Sequence, residues 1–291
     1  MIQDELFFKV SNLKKFRKFR LEAGLAAVLV ADVGEEKQAL EYAIFNWKEL
    51  LVKDTEYSIF YLRERIEELG SSFILKSALA AALVSASTND EVFKAFSDAV
   101  FEGFFGADEA VAGVLKAFQL RNILYSKDLK RLLDAIPARW WMEADMNKLA
   151  VWSIVSHPVM ELMCCEKWDS EDVKAIVKVL DAVKPCELGE IFETSAIPDE
   201  YWHIHVLFDI FAESKHDLPT LLFWLLTSYP AITTADFLEE ALYLLDEKGY
   251  SGARMLKLLR AVAIKFKKDE LASWAPGMWE RLRRYLHGSK A

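Results

Sequence analysis

The chain has five histidines, so any imidazole chemistry must draw on His157, His203, His205, His216 or His287. Two of them stand in a spacing that helical metalloproteins use. Glu200-Tyr-Trp-His203 and Glu213-Ser-Lys-His216 are both Glu-x-x-His, which on a helix sets a carboxylate and an imidazole on one face, as in di-iron carboxylate bundles. The motifs lie 13 residues apart on what reads as one helix, so at 100° per residue they point about 140° from each other. A di-iron site needs them on facing helices, and the spacing therefore argues against a metal. No other cluster has ligand spacing, and no metal or cofactor is expected.

His205 and Asp209 are four residues apart, with Tyr201 one turn earlier, so an imidazole and a carboxylate share a helical face. Such a pair could act as a general base. No nucleophile elbow, phosphate loop or Gly-rich oxyanion loop accompanies it, and a local side-chain pair near a helix start explains it as well. A helical enzyme or small-ligand binder with a pocket near Tyr201, His203, His205 and Asp209 is kept as the alternative reading, with His205 and Asp209 as its catalytic candidates. Cys164 and Cys165 are adjacent and so point about 100° apart on a helix, a poor arrangement for two ligands of one metal. They read as small buried hydrophobes. Three cysteines are an odd number, and no secretory apolar region follows Met1-Ile2-Gln3-Asp4-Glu5, which points to a reducing cytoplasm.

The charge distribution says more than its total of −9. Residues 1–20 carry six Lys or Arg against two acids and residues 254–291 carry ten against three, which leaves −20 on residues 21–253. Phosphate binding is driven by clustered Lys and Arg, so an acidic body speaks against nucleic acid and for a protein partner with a basic surface. In the basic run Lys9 to Arg20, Leu13, Phe16 and Phe19 occupy one helical face, which reads as a first helix docked on the core. The basic C-terminal segment around Trp274 and Trp279 reads as a solvated closing helix pair. Tryptophans enriched at binding hot spots make Trp140, Trp141 and Trp202 the candidate partner contacts.

The elements that must carry these residues are helices. Only 11 Gly and 7 Pro occur in 291 residues, mostly at joints, and apolar residues recur at i, i+3, i+4 and i+7. Leu40, Ala43, Ile44, Trp47, Leu50 and Leu51 form one such stripe, predicting a helix over residues 36–53. Thr55 is expected to cap the next helix and Gly70 to end it. Asn89-Asp90, Ser126-Lys127-Asp128 and Asp169-Ser170 mark later starts. The segments Ser72 to Ser87 and Leu218 to Ile232 are apolar but shorter than the roughly 20 residues that span a bilayer. They read as buried core helices, so no integral membrane association is expected. The starts at Ser126, Ser170 and Thr234 echo one another at gaps of 44 and 64 residues, of which only the first falls in the range of armadillo or HEAT repeats.

The sequence thus predicts an all-α protein without significant β-sheet, a stack of antiparallel helix pairs of solenoid type or an irregular helical bundle. Residues 1–291 are expected to form one helical domain, with two closely joined lobes, 1–137 and 148–291, as its subdivision around Pro137. The expected function is that of a non-catalytic protein-binding module, an inhibitor, immunity, anti-defence or adaptor protein whose acidic helical surface binds a protein partner.

Overall fold

The computed structural model describes residues 2–30, 36–120, 126–165, 168–193, 201–228, 235–250 and Leu258, with side chains except at 2–14, 36–37, 126–127, 201–204, 226–228 and 235–239. Among these residues there are fifteen α-helices, one 3₁₀ turn and no strand. The protein is all-α, as its 3.6-residue apolar period requires. Contacts divide it into two compact units, residues 1–166 and 167–291.

The first unit holds α1 (Ile2–Val30), α2 (Glu36–Lys53), α3 (Thr55–Glu68), α4 (Phe73–Ser85), α5 (Asp90–Phe101), α6 (Ala107–Gln119), α7 (Ser126–Ala135), α8 (Trp140–Glu143), α9 (Met146–Leu149) and α10 (Pro158–Cys164). Most of these helices pack on the next but one: α2 on α4, α4 on α6 and α6 on α8 form one row, and α3 on α5 and α5 on α7 a second. The centre of the first row is built from small residues. α4 buries ten of its thirteen residues, among them Ala78, Ala80, Ala81 and Ala82, and faces the buried Ala110, Ala112, Gly113 and Ala117 of α6. Alanine favours helix and leaves no bulk between axes. The approach is so close that a Cβ on Gly113 would stand 2.5 Å from Ala80 Cβ. A helix buried on nearly all sides belongs inside a core. No helix among the described residues is long and apolar enough to cross a membrane.

Local chemistry sets the ends. α3 stops at Gly70, whose φ of +89° needs a residue without a Cβ, and the Ser71 N–H closes the turn on the Ile66 carbonyl at 2.8 Å. Asn89 caps α5 by accepting from the N–H groups of Glu91 and Val92, and Asp169 does the same in the second unit for Glu171 and Asp172. Thr55 does not cap α3. It is the first residue of that helix, and its hydroxyl donates back to the Leu51 carbonyl at 2.7 Å, closing α2 instead. The side chains of Ser126 and Thr234, two of the three echoed starts, lie outside the described residues.

α1 docks on α2, but through a different face from the one its Phe residues suggest. Leu21 and Leu25 are buried, and Gly24 admits the Trp47 indole against the helix, where its Nε1–H donates to the Leu21 carbonyl at 3.2 Å. Arg17 pairs with Asp54, and Arg20 reaches Glu49 at 3.0 Å. Glu22 accepts from the Tyr61 hydroxyl and pairs with Arg65, tying α1 to α3. Phe16 and Phe19 are 59% and 70% exposed; Leu13 lies outside the described side chains. The core takes the face that carries Leu21 and Leu25 because only there does a glycine make room for Trp47.

Residues 137–147, the sequence's candidate joint, lie inside the first unit. Trp141 is completely buried and Trp140 half-buried, while α8 packs on both α6 and α10. A 3₁₀ turn, Ala150–Trp152, follows α9, and the Trp152 indole donates to Ser77 Oγ at 2.9 Å in the core of α4.

The second unit holds α11 (Ser170–Asp181), α12 (Leu188–Glu193), α13 (Tyr201–Glu213), α14 (Leu218–Ser228) and α15 (Ala235–Glu247), again packed next but one, α11 on α13 and α12 on α14. Phe192 and Phe211 meet edge to face at its centre, with ring centroids 5.7 Å apart. Apart from Leu258, residues 251–291, with Trp274 and Trp279, lie outside the described residues.

Candidate functional site

Two grooves open on the first unit. The larger, about 750 Å³, runs along α2 over Ile44, Phe45, Val52 and Leu120, and its charges balance: Glu41 and Glu49 against Lys48 and Lys53. Partial burial pulls the Lys48 ammonium below the usual lysine range, the response of a cation resting on apolar surface.

The second groove, about 700 Å³, lies between α3 and α5. α3 packs on α2, α4 and α5, and the residues it gives to the groove recur at helical spacing: Glu56, Phe60, Arg63, Glu64 and Glu67. α5 presents Glu91, Lys94, Asp98 and Glu102 at the same period. Six carboxylates thus line the groove against two cations. One of those cations is already engaged: Arg63 pairs with Glu102 at 2.8 Å and lies over the Phe104 ring, 4.7 Å from its centroid. Phe60 stands among the acids, 66% exposed. An exposed aromatic in a groove lined mainly by carboxylates is a chemistry for holding an amphipathic, cationic segment: the ring takes its apolar side and the acids its cations.

The residues singled out in the sequence fall elsewhere. His205 lies on α13 with its Nδ1 3.5 Å from Glu240 Oε2 of α15, a partner 35 residues away that no local spacing could announce. Asp209, one turn on, is exposed. The side chains of Tyr201, Trp202 and His203, and Glu200 as a whole, lie outside the described residues. The second Glu-x-x-His pair is divided. Glu213 faces Lys248 at 3.9 Å, whereas the His216 ring sits 3.0 Å from the Leu180 carbonyl, to which Nε2–H donates, so this imidazole ties α13 to the end of α11. His157 caps α10, its Nδ1 accepting from the Val159 N–H at 3.3 Å. Among the described residues no group of three His, Cys, Asp or Glu could hold a metal ion.

The cysteines follow the same structural logic. Cys164 is buried, and burial, with the Glu161 carboxylate nearby, pushes its thiol far above the usual range, which suppresses the thiolate that nucleophilic chemistry requires. Cys165 points to the Leu162 carbonyl and Cys186 is exposed. Trp141 belongs to the core of the first unit, so among the three tryptophans proposed as partner contacts only Trp140 has a described, partly exposed side chain.

The α3–α5 groove escaped the sequence reading because its acids come from two helices separated by α4. The detectable signal was present in part: Glu56, Glu64 and Glu67 share a face with Phe60, an aromatic on the polar side of an otherwise ordinary amphipathic helix. Comparison with protein-family models, with curated proteins and with solved structures finds no match to this chain.

Proposed function

We propose that this chain is a non-catalytic protein-binding module, of the inhibitor, immunity or adaptor kind, and that the groove between α3 and α5 receives a basic, amphipathic segment of its partner. One observation carries the reading: six carboxylates and two cations line a groove with the exposed Phe60, and with Arg63 and Glu102 paired to each other five acids remain against Lys94. Charge of one sign around an apolar anchor favours fast, selective encounter with the opposite charge. The segment expected in the groove is a helix with Lys or Arg on one face and a large apolar residue at its centre.

The test compares the tagged protein with a Glu64→Lys/Glu67→Lys/Asp98→Lys variant for capture from the lysate of the source, followed by binding kinetics of the captured protein at low and high salt. The expected result is one stoichiometric partner, held by the unchanged protein, weakened by salt and lost from the variant. Equal capture by both proteins removes the groove from the account, and a captured enzyme substrate in place of a protein removes the module.

A further inference from the structure

The outer face of α1 carries a second pattern, independent of the groove. Phe16, Phe19, Ala23, Ala26 and Val30 follow one another at steps of 3, 4, 3 and 4, the a/d spacing of a coiled-coil seam. At 100° per residue they lie within an arc of about 80°, and its centre points about 160° away from the buried Leu21 and Leu25 side. The structure agrees with the wheel: Phe16, Phe19 and Ala26 are exposed, Ala23 is half-buried, and Val30 is 75% exposed. One heptad further toward the N-terminus the same positions hold Lys9 and Asn12, so the apolar seam begins at Phe16. It spans fifteen residues, about 21 Å of helix.

We infer that this face is a self-association seam, in which α1 of one copy pairs antiparallel with α1 of a second copy across a two-fold axis. Volume selects that direction. An antiparallel register sets Phe16 opposite Ala26 and Phe19 opposite Ala23, and the two-fold axis repeats both pairs, so that each of four layers holds one large and one small residue; Val30 lies beyond these layers, level with position 12 of the second copy. Interfaces fill best when large and small side chains face each other. A parallel pair would stack phenylalanine on phenylalanine at one end and alanine on alanine at the other, leaving the alanine end apart. Charge selects the same direction. Lys15 flanks the phenylalanine end and is exposed, while Lys18 is turned away, over the Tyr61 ring; a parallel pair sets the two Lys15 ammonium groups side by side, whereas an antiparallel pair sets each beside the carbonyl-rich last turn of the partner's helix, where cations are favoured. Both sides of the seam are the same patch, so the assembly closes at two copies.

A membrane surface is the competing occupant for an exposed face with phenylalanine and lysine, and the placement of the cations favours the second copy. Arg17 and Arg20 are turned to Asp54 and Glu49, and from Leu21 to Val30 this helix has no Lys or Arg to meet anionic headgroups. The seam is short, so the dimer is weak and forms at micromolar concentrations or above.

The experiment is sedimentation velocity of the full chain from about 1 to about 300 µM, a span that brackets a modest interface. The expected result is a monomer that passes to a dimer with concentration. Phe16→Ala and Ala26→Phe should each weaken the dimer about tenfold or more, by emptying or overfilling a layer. Combining them restores it, because the space that the first substitution opens on one chain then receives the ring that the second adds on the other. Phe101→Ala, at an exposed residue of α5, should change nothing. A monomer at every concentration overturns the inference, and overturns it in favour of a membrane if the protein also sediments with vesicles rich in phosphatidylserine. A dimer indifferent to the α1 variants, or one that the double variant fails to restore, overturns it equally.

Discussion

The two grooves of the first unit have nearly the same capacity, about 750 Å³ on α2 and about 700 Å³ between α3 and α5, and differ in their balance of charge. On α2, two acids meet two bases beside Phe45 and Val52; between α3 and α5, six acids meet two bases around Phe60. Size therefore cannot choose between them. Their lining can: a balanced apolar groove accepts many neutral surfaces weakly, whereas an acidic groove with an aromatic anchor discriminates by charge before contact is made.

The helices that line both grooves, α2, α3 and α5, pack on α4, and breaking the seam between α4 and α6 should erase the contrast. Gly113→Val drives a branched side chain into Ala80, and a loss of about 3 kcal/mol or more is expected in denaturant unfolding, with both grooves lost together. Next in size is charge reversal. Glu64→Lys/Glu67→Lys/Asp98→Lys should slow association with the basic partner about 10- to 100-fold at low salt, while Glu41→Lys in the α2 groove should change it less than about twofold; stopped-flow mixing of the two series measures the difference. Phe60→Ala, which leaves the acids intact, should weaken equilibrium affinity about tenfold and leave the association rate nearly unchanged, as titration calorimetry beside the same mixing experiment would show. Arg63→Ala sharpens the comparison in the other direction. It leaves Glu102 unpaired and the groove more acidic, so association should quicken about twofold while thermal stability falls by less than about 1 kcal/mol.

The smallest effect belongs to a residue in neither groove. Burial holds the Glu161 carboxyl above its usual range, against two N–H donors from Val155 and Ser156 that favour the charged form. The folded chain then keeps this proton more readily than the unfolded one, so the stability it contributes is present in acid and lost as pH rises through the raised value. Glu161→Gln, neutral throughout, should match the parent near about pH 4 and exceed it in melting temperature near about pH 7, with partner binding unchanged. A variant less stable at both values would contradict this assignment.

What the sequence revealed follows the range over which each signal acts. The α2 boundaries, the Gly70 stop and the caps at Asn89 and Asp169 were legible because each depends on residues within one or two turns. Thr55 was misplaced by one position, since a hydroxyl beside a helix start can serve the preceding helix as well as the following one, and only the Leu51 carbonyl decides. The docking face of α1 was misread because its apolar residues form two stripes, and the choice between them rests on Gly24 meeting Trp47 from another helix. The acidic groove and the His205–Glu240 contact join residues whose distance in the chain hides them from any periodicity.

The burial of α4 has a consequence in time as well as in space. Its apolar surface is covered chiefly by α6, whose last residue, Gln119, follows Ser85 by 34 positions. At roughly 5 to 20 residues per second of synthesis, a nascent chain carries the α6-facing side of α4 uncovered for about two to seven seconds. During that interval the most apolar segment of the first unit is a substrate for holding factors on the ribosome, and a chain interrupted between the two helices would keep it exposed for as long as the interruption lasts.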